Sequence, residues 1–244
     1  MSALRVMSYH VNSCTGRKGE PTVDLCAQVI DSQSPDLVFL QQVGSRSDPS
    51  QLYQLANQLN MQPFGLGQEA ACCFLSRYPL RGLQDYSLGS HGSCLRADLD
   101  HMGQRLHLFN VSLSLNLLQR KKQVNALLGE ELLGNPSLPC AALVGGDFAL
   151  PFWGAGQIRL GNCLTRATQP LWRANFPAEF PFWGRDRFYF RGGIRALAGS
   201  VVATPDARHA SSHLPLVLTV EQVENRKFLP LKNVHQQRMK PVVG

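Results

Sequence analysis

The sequence contains no long run of apolar residues. None of its hydrophobic stretches approaches the roughly 20 residues that a membrane-spanning helix requires. Residues 1–13 also lack the basic region and the long apolar stretch of a secretory signal. We therefore expect a cytoplasmic protein without a transmembrane segment.

Disulfide and zinc-binding patterns are absent as well. The seven cysteines are scattered along the chain, and no two of them stand in the Cys-x-x-Cys spacing of zinc and redox sites. They are typical of reduced, mostly buried small residues. With 44% hydrophobic and 17% charged residues in 244, the chain has enough apolar surface to form a core without disulfides or structural metals.

Acidic residues are missing from the C-terminal segment 225–244, which carries five of the 24 lysines and arginines. Residues 1–224 hold the other 19 basic residues and all 17 acidic ones, so most of the net charge of +7 lies in this segment. A nearly neutral body argues against a domain built around nucleic acid, whereas a basic extension can contact an anionic partner. We predict one domain over residues 1–224 and a basic tail over residues 225–244.

Short runs rich in β-forming residues alternate with segments of helical periodicity. The predicted strands cover 4–11, 36–43, 71–76, 93–99, 105–113, 141–148, 186–190 and 216–220, and the predicted helices cover 22–33, 48–60 and 116–133. Thr22 is the predicted N-cap of the first helix. Because several consecutive strands are too close for a crossover helix, the pattern predicts an α/β protein with two packed sheets and helices outside them.

Six segments of the chain, in this order, carry a family resemblance. They are MSYHVNSCTG at 7–16, LVFLQQV at 37–43, LSRYPL at 75–80, LVGGDFAL at 143–150, RDRFYFRGG at 185–193 and ASSHLPLV at 210–217. Together they resemble the endonuclease/exonuclease/phosphatase superfamily, which includes abasic-site endonucleases, deoxyribonuclease I and sphingomyelinases. The resemblance covers residues 4–221 and implies a four-layer α/β sandwich of two mixed sheets, with the active site where strand ends converge.

The resemblance implies Mg²⁺-dependent hydrolysis of phosphate esters, but two metal positions have changed. Gln42 stands where the family pattern Leu-Gln-Glu has its principal metal ligand, and Ser212 stands for the aspartate of the closing Ser-Asp-His pattern. A glutamine offers Mg²⁺ an uncharged oxygen, and Mg²⁺ sheds its water reluctantly without anionic ligands. We therefore expect Mg²⁺ binding to be weak or absent.

Three family positions are retained, and the resemblance implies catalytic roles for them. Asp147 matches the aspartate that orients the attacking water, Asp186 matches that of an Asp-x-Ile-Phe-like strand, and His213 matches the histidine paired with it. The phosphate-binding positions are altered. The residues assigned to substrate binding are His10 in place of an asparagine, Asn12 beyond it, Ala149 in place of an asparagine and Ser112 in place of a histidine.

Each of these residues also has a purely structural interpretation. Asp147 follows two glycines and can bond turn amides, and Asp186 and His213 can form a buried pair that satisfies both groups. His10 is either a new phosphate donor, a metal ligand or a histidine bonded to backbone or water. Since the surrounding positions have changed, we favour the structural interpretation.

Aromatic residues are concentrated in one region. Eleven of the 20 lie between Phe148 and Phe190, and Pro-Phe-Trp-Gly occurs twice, at 151–154 and 181–184. An apolar rim of this kind suits a lipid, a nucleobase or a partner protein, or else the aromatics fold inward and plug the cleft. Because aromatic clusters are usually core, we favour the plug.

Two functions follow from these observations. The first is a metal-dependent phosphoesterase of altered mechanism, whose ligand contains phosphate and belongs to a family range that includes nucleic acids and lipids. The second is a non-catalytic binding or scaffold protein that uses the old cleft or the Phe-Trp loops. We predict weak or absent hydrolase activity.

Overall fold

A computed structural model describes residues 3–16, 18–44, 49–65, 72–136, 138, 140–149, 155–170 and 174–223. The predicted tail and the first Pro-Phe-Trp-Gly copy, at 151–154, lie outside the described residues. Among the described helices, none has the length and apolarity needed to cross a membrane.

Two six-stranded sheets are formed within this part of the chain. The strands are β1 (Leu4–His10), β2 (Leu37–Gln41), β3 (Gln62–Phe64), β4 (Cys72–Ser76), β5 (Leu80–Ser87), β6 (Ser93–His101), β7 (Gln104–Ser112), β8 (Ala141–Asp147), β9 (Thr165–Arg166), β10 (Asp186–Arg191), β11 (Ile194–Val201) and β12 (Leu216–Gln222). The first sheet has the order β11-β12-β1-β2-β4-β3, and the second has the order β5-β6-β7-β8-β10-β9. Each sheet is mixed, because β1 and β2 are parallel, β7 and β8 are parallel, and the other pairs are antiparallel.

The two sheets pack face to face, with helices on their outer faces. The helices are α1 (Val23–Asp31), α2 (Ser50–Leu59), α3 (Leu117–Leu127), α4 (Ala155–Cys163) and α5 (Pro205–Ala210). Helices α1, α2 and α5 share an apolar cluster with the outer face of the first sheet, and α3 and α4 share one with the second. The four-layer α/β sandwich predicted from the sequence is confirmed.

Strand β2 shows why the central strands read as continuous apolar runs. Leu37 and Phe39 belong to the core between the sheets, whereas Val38 and Leu40 belong to the cluster beneath the helices. Successive side chains point to opposite faces, and both faces are covered. Between the sheets, the ring of Phe39 contacts Phe74 and Phe188 edge-on, at centroid distances of 5.0 and 5.5 Å.

Several local features differ from the sequence predictions. The helix predicted over 116–133 ends at Leu127, and the next residues form turns. The Thr22 hydroxyl does not cap α1 but donates to the carbonyl of Ala210, 2.7 Å away. The sequence analysis did not predict α4, α5 or the strands β3, β5, β9 and β11, because these elements are short or exposed and show little hydrophobic periodicity.

Candidate functional site

Strand ends from both sheets converge at Asp147, the last residue of β8. Asp147 is paired in register with Ser112 at the end of β7 and with Asp186 at the start of β10. The preceding Gly146 has φ +135°, and a Cβ there would lie 2.0 Å from the carbonyl oxygen of Val111. Glycine is therefore required for β8 to approach β7 this closely.

The carboxylate of Asp147 is buried and engaged on both oxygens. Arg185 Nη2 lies 2.5 Å from Oδ2 and Nε lies 3.3 Å from Oδ1, while the Ala149 amide donates to Oδ1 at 2.8 Å. His10 Nδ1 is 3.2 Å from Oδ2. Burial opposes ionisation, but His10, His213 and Arg185 outweigh it and hold the pKa of Asp147 well below its ordinary value. Asp147 is therefore a charged, fully paired group.

Asp186 and His213 form a second buried pair. His213 Nδ1 donates to Asp186 Oδ2 at 2.6 Å. Asn175 Nδ2 donates to the same carboxylate oxygen, and its Oδ1 accepts from the Arg185 amide at 2.9 Å and the Asp186 amide at 3.3 Å. Burial lowers the pKa of His213 below 6.5, and the carboxylate of Asp186 only partly opposes this effect. Burial therefore favours the neutral form of the His213 imidazole.

Ring contacts join the two pairs into one closed cluster. The imidazoles of His10 and His213 stack with centroids 4.2 Å apart and planes 9° from parallel. Phe176 contacts His213 at 4.8 Å, and the Arg185 guanidinium lies over the Phe176 ring with Cζ 4.7 Å from its centroid. His10, Asp147, Asp186 and His213 are each at most 5% exposed.

Two further arginines lie buried near this cluster. Arg120 Nη1 donates to the carbonyl of Ala149 at 2.5 Å, and Arg187 Nε donates to the carbonyl of Gly184 at 3.0 Å. Burial and the charges of Arg185 and Arg187 lower the pKa of Arg120. Arg185 was not predicted as a site residue, although it adjoins Asp186 in one of the six family-like segments.

The two altered metal positions present no buried ligand. The side chains of Gln42 and Ser212 are exposed. Their carbonyl oxygens accept hydrogen bonds from the amides of Ser13, at 2.6 Å, and Ala178, at 2.8 Å. The adjacent Gln41 is buried instead and donates to Asn110 Oδ1 at 2.7 Å.

The remaining predicted substrate-binding residues occupy different surroundings. Ser112 is buried at the end of β7. Ala149 is also buried, and its amide donates to Asp147 Oδ1. Asn12 donates to the carbonyl of Thr15 at 3.1 Å. Asn12 also lines a cavity of about 380 Å³ together with Phe176, Arg208, Ser211 and Ser212.

The donors in this region do not fit Mg²⁺. His10, Asp147 and His213 place their ligand atoms within 4.8 Å of one another, a mixed nitrogen and oxygen set that suits a transition metal rather than Mg²⁺. The carboxylate of Asp147, however, is already neutralised by Arg185. Among the described residues, Asp186 Oδ1 is a buried carboxylate oxygen without a hydrogen bond, but one oxygen falls short of the about six that Mg²⁺ coordinates.

The aromatic side chains of residues 176–184 do not all fold inward. Phe180 is 80% exposed and Phe182 is 66% exposed, whereas Trp183 is partly buried. The plug interpretation is therefore wrong for Phe180 and Phe182. Trp153, in the other Pro-Phe-Trp-Gly copy, lies outside the described residues.

Comparison with solved structures identifies the fold. An endonuclease/exonuclease/phosphatase from Beutenbergia cavernae superposes with a TM-score of 0.71 at 19% identity, over 91% of this chain and 72% of that one. D. rerio TDP2 complexed with a single-strand DNA product gives a TM-score of 0.73 at 16% identity, over 91% of this chain and 100% of that one. A mannosyl-6-phosphatase from Bacteroides thetaiotaomicron gives a TM-score of 0.71 at 15% identity, over 89% of this chain and 99% of that one.

Sequence comparison adds no relative. No protein-family model matches the chain, and no curated protein matches it. The structural likeness shows that the chain has the fold of the endonuclease/exonuclease/phosphatase proteins, as the sequence resemblance implied.

Proposed function

We propose that this chain is a binding protein built on the endonuclease/exonuclease/phosphatase fold, with weak or absent phosphoesterase activity. The pairing of Asp147 with Arg185 carries this proposal. An aspartate that orients an attacking water needs a carboxylate oxygen within reach of that water. Here Arg185, His10 and the Ala149 amide surround the carboxylate, and the group is 1% exposed.

The donor set around the cluster supports the same conclusion. Hydrolysis of a phosphodiester with Mg²⁺ needs anionic oxygen ligands that hold the ion beside the scissile bond. The exposed Gln42 and Ser212 side chains bring no negative charge to this region.

The cluster instead ties the two sheets together. His10 ends β1 in the first sheet and contacts Asp147 of β8 in the second. His213 lies just before β12 of the first sheet and bonds Asp186 of β10 in the second. The hydrogen bond between His213 and Asp186 is buried, where such a bond is strong and intolerant of a missing partner. The 3.2 Å approach of His10 Nδ1 to Asp147 Oδ2 is also buried, but it is not a hydrogen bond.

A second candidate is a phosphoesterase of altered mechanism, supported by the 2.6 Å contact between His213 and Asp186. In that function the pair would stabilise the phosphoryl group of a phosphate-containing substrate. The name of the B. thetaiotaomicron mannosyl-6-phosphatase indicates a substrate of this class for that protein. The lowered pKa of His213 weighs against it, because a neutral imidazole brings no positive charge to a phosphoryl group.

Hydrolysis of bis-p-nitrophenyl phosphate tests the proposal. We expect release of p-nitrophenol by the parent to equal that in buffer with millimolar Mg²⁺, with Mn²⁺ and with chelator. Asp147→Asn and His213→Gln, purified in the same way and checked for folding by circular dichroism, serve as controls. Metal-dependent turnover by the parent that is lost in both variants would overturn the proposal and establish the second candidate.

Metal affinity is measured in the same preparation by thermal unfolding. A ligand that binds only the folded state stabilises it by about 2.7 kcal/mol at ~100 times its Kd. We expect millimolar Mg²⁺ to leave the melting temperature of the parent unchanged. Gln42→Glu with Ser212→Asp restores two carboxylates and is the matched comparison for a Mg²⁺ response. A rise of several degrees in the parent would contradict our assignment of these positions.

A further inference from the structure

Exposed apolar side chains are concentrated in two short segments. Among the described residues, five of the ten large hydrophobic side chains that are exposed lie in residues 115–118 and 180–182. They are Leu115, Leu117, Leu118, Phe180 and Phe182, with exposed fractions of 60% to 80%. The other five are Tyr53, Leu83, Met102, Leu197 and Val223, each separate from the rest in the sequence. Clustered exposure of this kind marks an interaction surface, whereas single exposed residues do not.

The sheet topology places both segments at the same end of the sandwich. Strands β7 and β8 run parallel and end at Ser112 and Asp147, while the antiparallel β10 begins at Asp186. Residues 115–118 follow β7, residues 180–182 precede β10, and β7 and β10 are the two neighbours of β8. Neighbouring strands lie about 4.8 Å apart, so Ser112 and Asp186, the strand ends from which the two segments extend, lie about 10 Å from each other. We define these two segments as the apolar rim.

Exposed lysines lie one helical turn behind the leucines of the rim. Leu117 and Leu118 are the first residues of α3. Lys121 and Lys122 follow these leucines by four positions, which is about one helical turn. The side chains of both leucines and both lysines are exposed. The Asn116 side chain accepts from the amides of Leu118, at 3.0 Å, and Gln119, at 3.2 Å, which fixes the start of the helix. The helix therefore presents apolar side chains at its tip and cations just behind them.

The second segment of the rim is held in a tight hairpin. The Phe176 carbonyl accepts from the amides of Phe182, at 3.2 Å, and Trp183, at 2.9 Å. Arg208 Nη1 donates to the carbonyl of Ala178 at 2.7 Å and also to that of Glu179. The exposed phenylalanines are thus displayed by backbone that is already ordered, which lowers the entropic cost of binding.

We propose that the apolar rim docks on a membrane surface that contains anionic phospholipid. The rim leucines and phenylalanines would enter the boundary between head groups and acyl chains, with Lys121 and Lys122 at the level of the anionic head groups. This inference rests on the proposed function, since it names the partner of a binding protein.

Charge and side-chain chemistry favour a bilayer over a single-stranded nucleic acid. Three of the five exposed apolar side chains of the rim are leucines. A leucine side chain has no aromatic face on which a base can stack. Arg208 already donates to two backbone carbonyls of the hairpin. Within segments 113–122 and 176–184, Lys121 and Lys122 are the exposed cations and Glu179 is the single acidic residue.

Co-sedimentation with lipid vesicles tests the proposal. We expect the parent to bind vesicles in which phosphatidylserine is roughly a third of the lipid in phosphatidylcholine, and to bind pure phosphatidylcholine much more weakly. Phe180→Ser with Phe182→Ser should weaken binding at least about tenfold, because two large apolar side chains are removed from the lipid boundary. Lys121→Gln with Lys122→Gln should weaken it about 30-fold, from about 1 kcal/mol for each lysine.

Met102→Ser is the matched control. Met102 is 76% exposed in the hairpin between β6 and β7, at the opposite end of β7 from Ser112. Its substitution should leave vesicle binding unchanged. All variants are compared with the parent by circular dichroism, so that loss of binding is separated from loss of folding.

Three outcomes would overturn the membrane proposal. The first is a parent that fails to sediment with either vesicle. The second is an equal loss of binding in Met102→Ser and in the rim variants. The third is a parent that forms a stable dimer without lipid, or binds a single-stranded oligonucleotide, through the same phenylalanines and without binding vesicles. A parent that neither binds vesicles nor hydrolyses the diester would refute the membrane proposal alone and leave the proposed function in place.

Discussion

The buried cluster and the apolar rim lie at the same end of the molecule, but their chemistry is the reverse of the usual distribution. The cluster around Asp147 is polar and charged yet buried, and each of its carboxylates has a partner. The rim is apolar yet exposed. A hydrolytic cleft needs accessible polar groups, whereas a docking surface needs accessible apolar ones. On our proposal, this end of the protein serves surface contact rather than hydrolysis.

The largest expected effect is the loss of stability in Asp147→Ala. The substitution leaves Arg185 buried without its carboxylate, and breaking a buried pair from one side costs about 3–5 kcal/mol of unfolding free energy. Denaturant unfolding measures this loss. Asp100→Ala removes an exposed carboxylate that contacts Arg105 and should leave the unfolding midpoint almost unchanged. An Asp147→Ala protein as stable as the parent would show that the buried pair of Asp147 and Arg185 contributes little to stability.

A smaller effect is expected from pH through His213. Its pKa in the folded state is lowered below 6.5, so the unfolded chain binds a proton there that the folded chain does not. Stability therefore falls as the pH drops from about 6.5 towards the folded pKa. The lowered pKa of Asp147 acts in the same direction, but only below about pH 3.9, where that carboxyl begins to protonate in the unfolded chain.

Urea unfolding at neutral pH and at about pH 5.5 separates the contribution of His213. The parent should lose stability between these conditions, and His213→Gln should lose less. An identical pH dependence in the two proteins would mean that His213 titrates in the folded state as it does in the unfolded chain. That result would contradict the lowered pKa of His213 in the folded protein.

The smallest expected effect is that of the rim on stability. Phe180→Ser with Phe182→Ser should change the unfolding free energy by no more than about 0.5 kcal/mol, because both side chains are largely exposed. Thermal unfolding of the variant and the parent gives this difference. A clear loss of stability would show that the phenylalanines pack against the body of the protein, which would restore the plug interpretation.

Periodicity and motif order in the sequence were enough to predict the layers of the fold and the assembly of its retained polar residues. The segment Leu37–Gln41 begins with four consecutive apolar residues. Consecutive rather than alternating apolar residues predict a strand that is covered on both faces. The six family-like segments predicted that Asp147, Asp186 and His213 lie together, and the structure places them in one cluster. The tail over residues 225–244 stays a prediction.

The tertiary structure alone decided what those polar residues do to one another. Arg185 and Asp147 are 38 positions apart, and their contact depends on the register of β8 against β10 and on the path of the loop before β10. Burial acts on the two sites in different ways: it lowers the pKa of His213, whereas at Asp147 it opposes ionisation and is outweighed by His10, His213 and Arg185. The exposure of Phe180 and Phe182 could not be predicted from the sequence either, because aromatic residues occur both in protein cores and on exposed apolar surfaces. Local pattern determines which elements form, whereas the partners of a side chain depend on residues that only folding brings into contact.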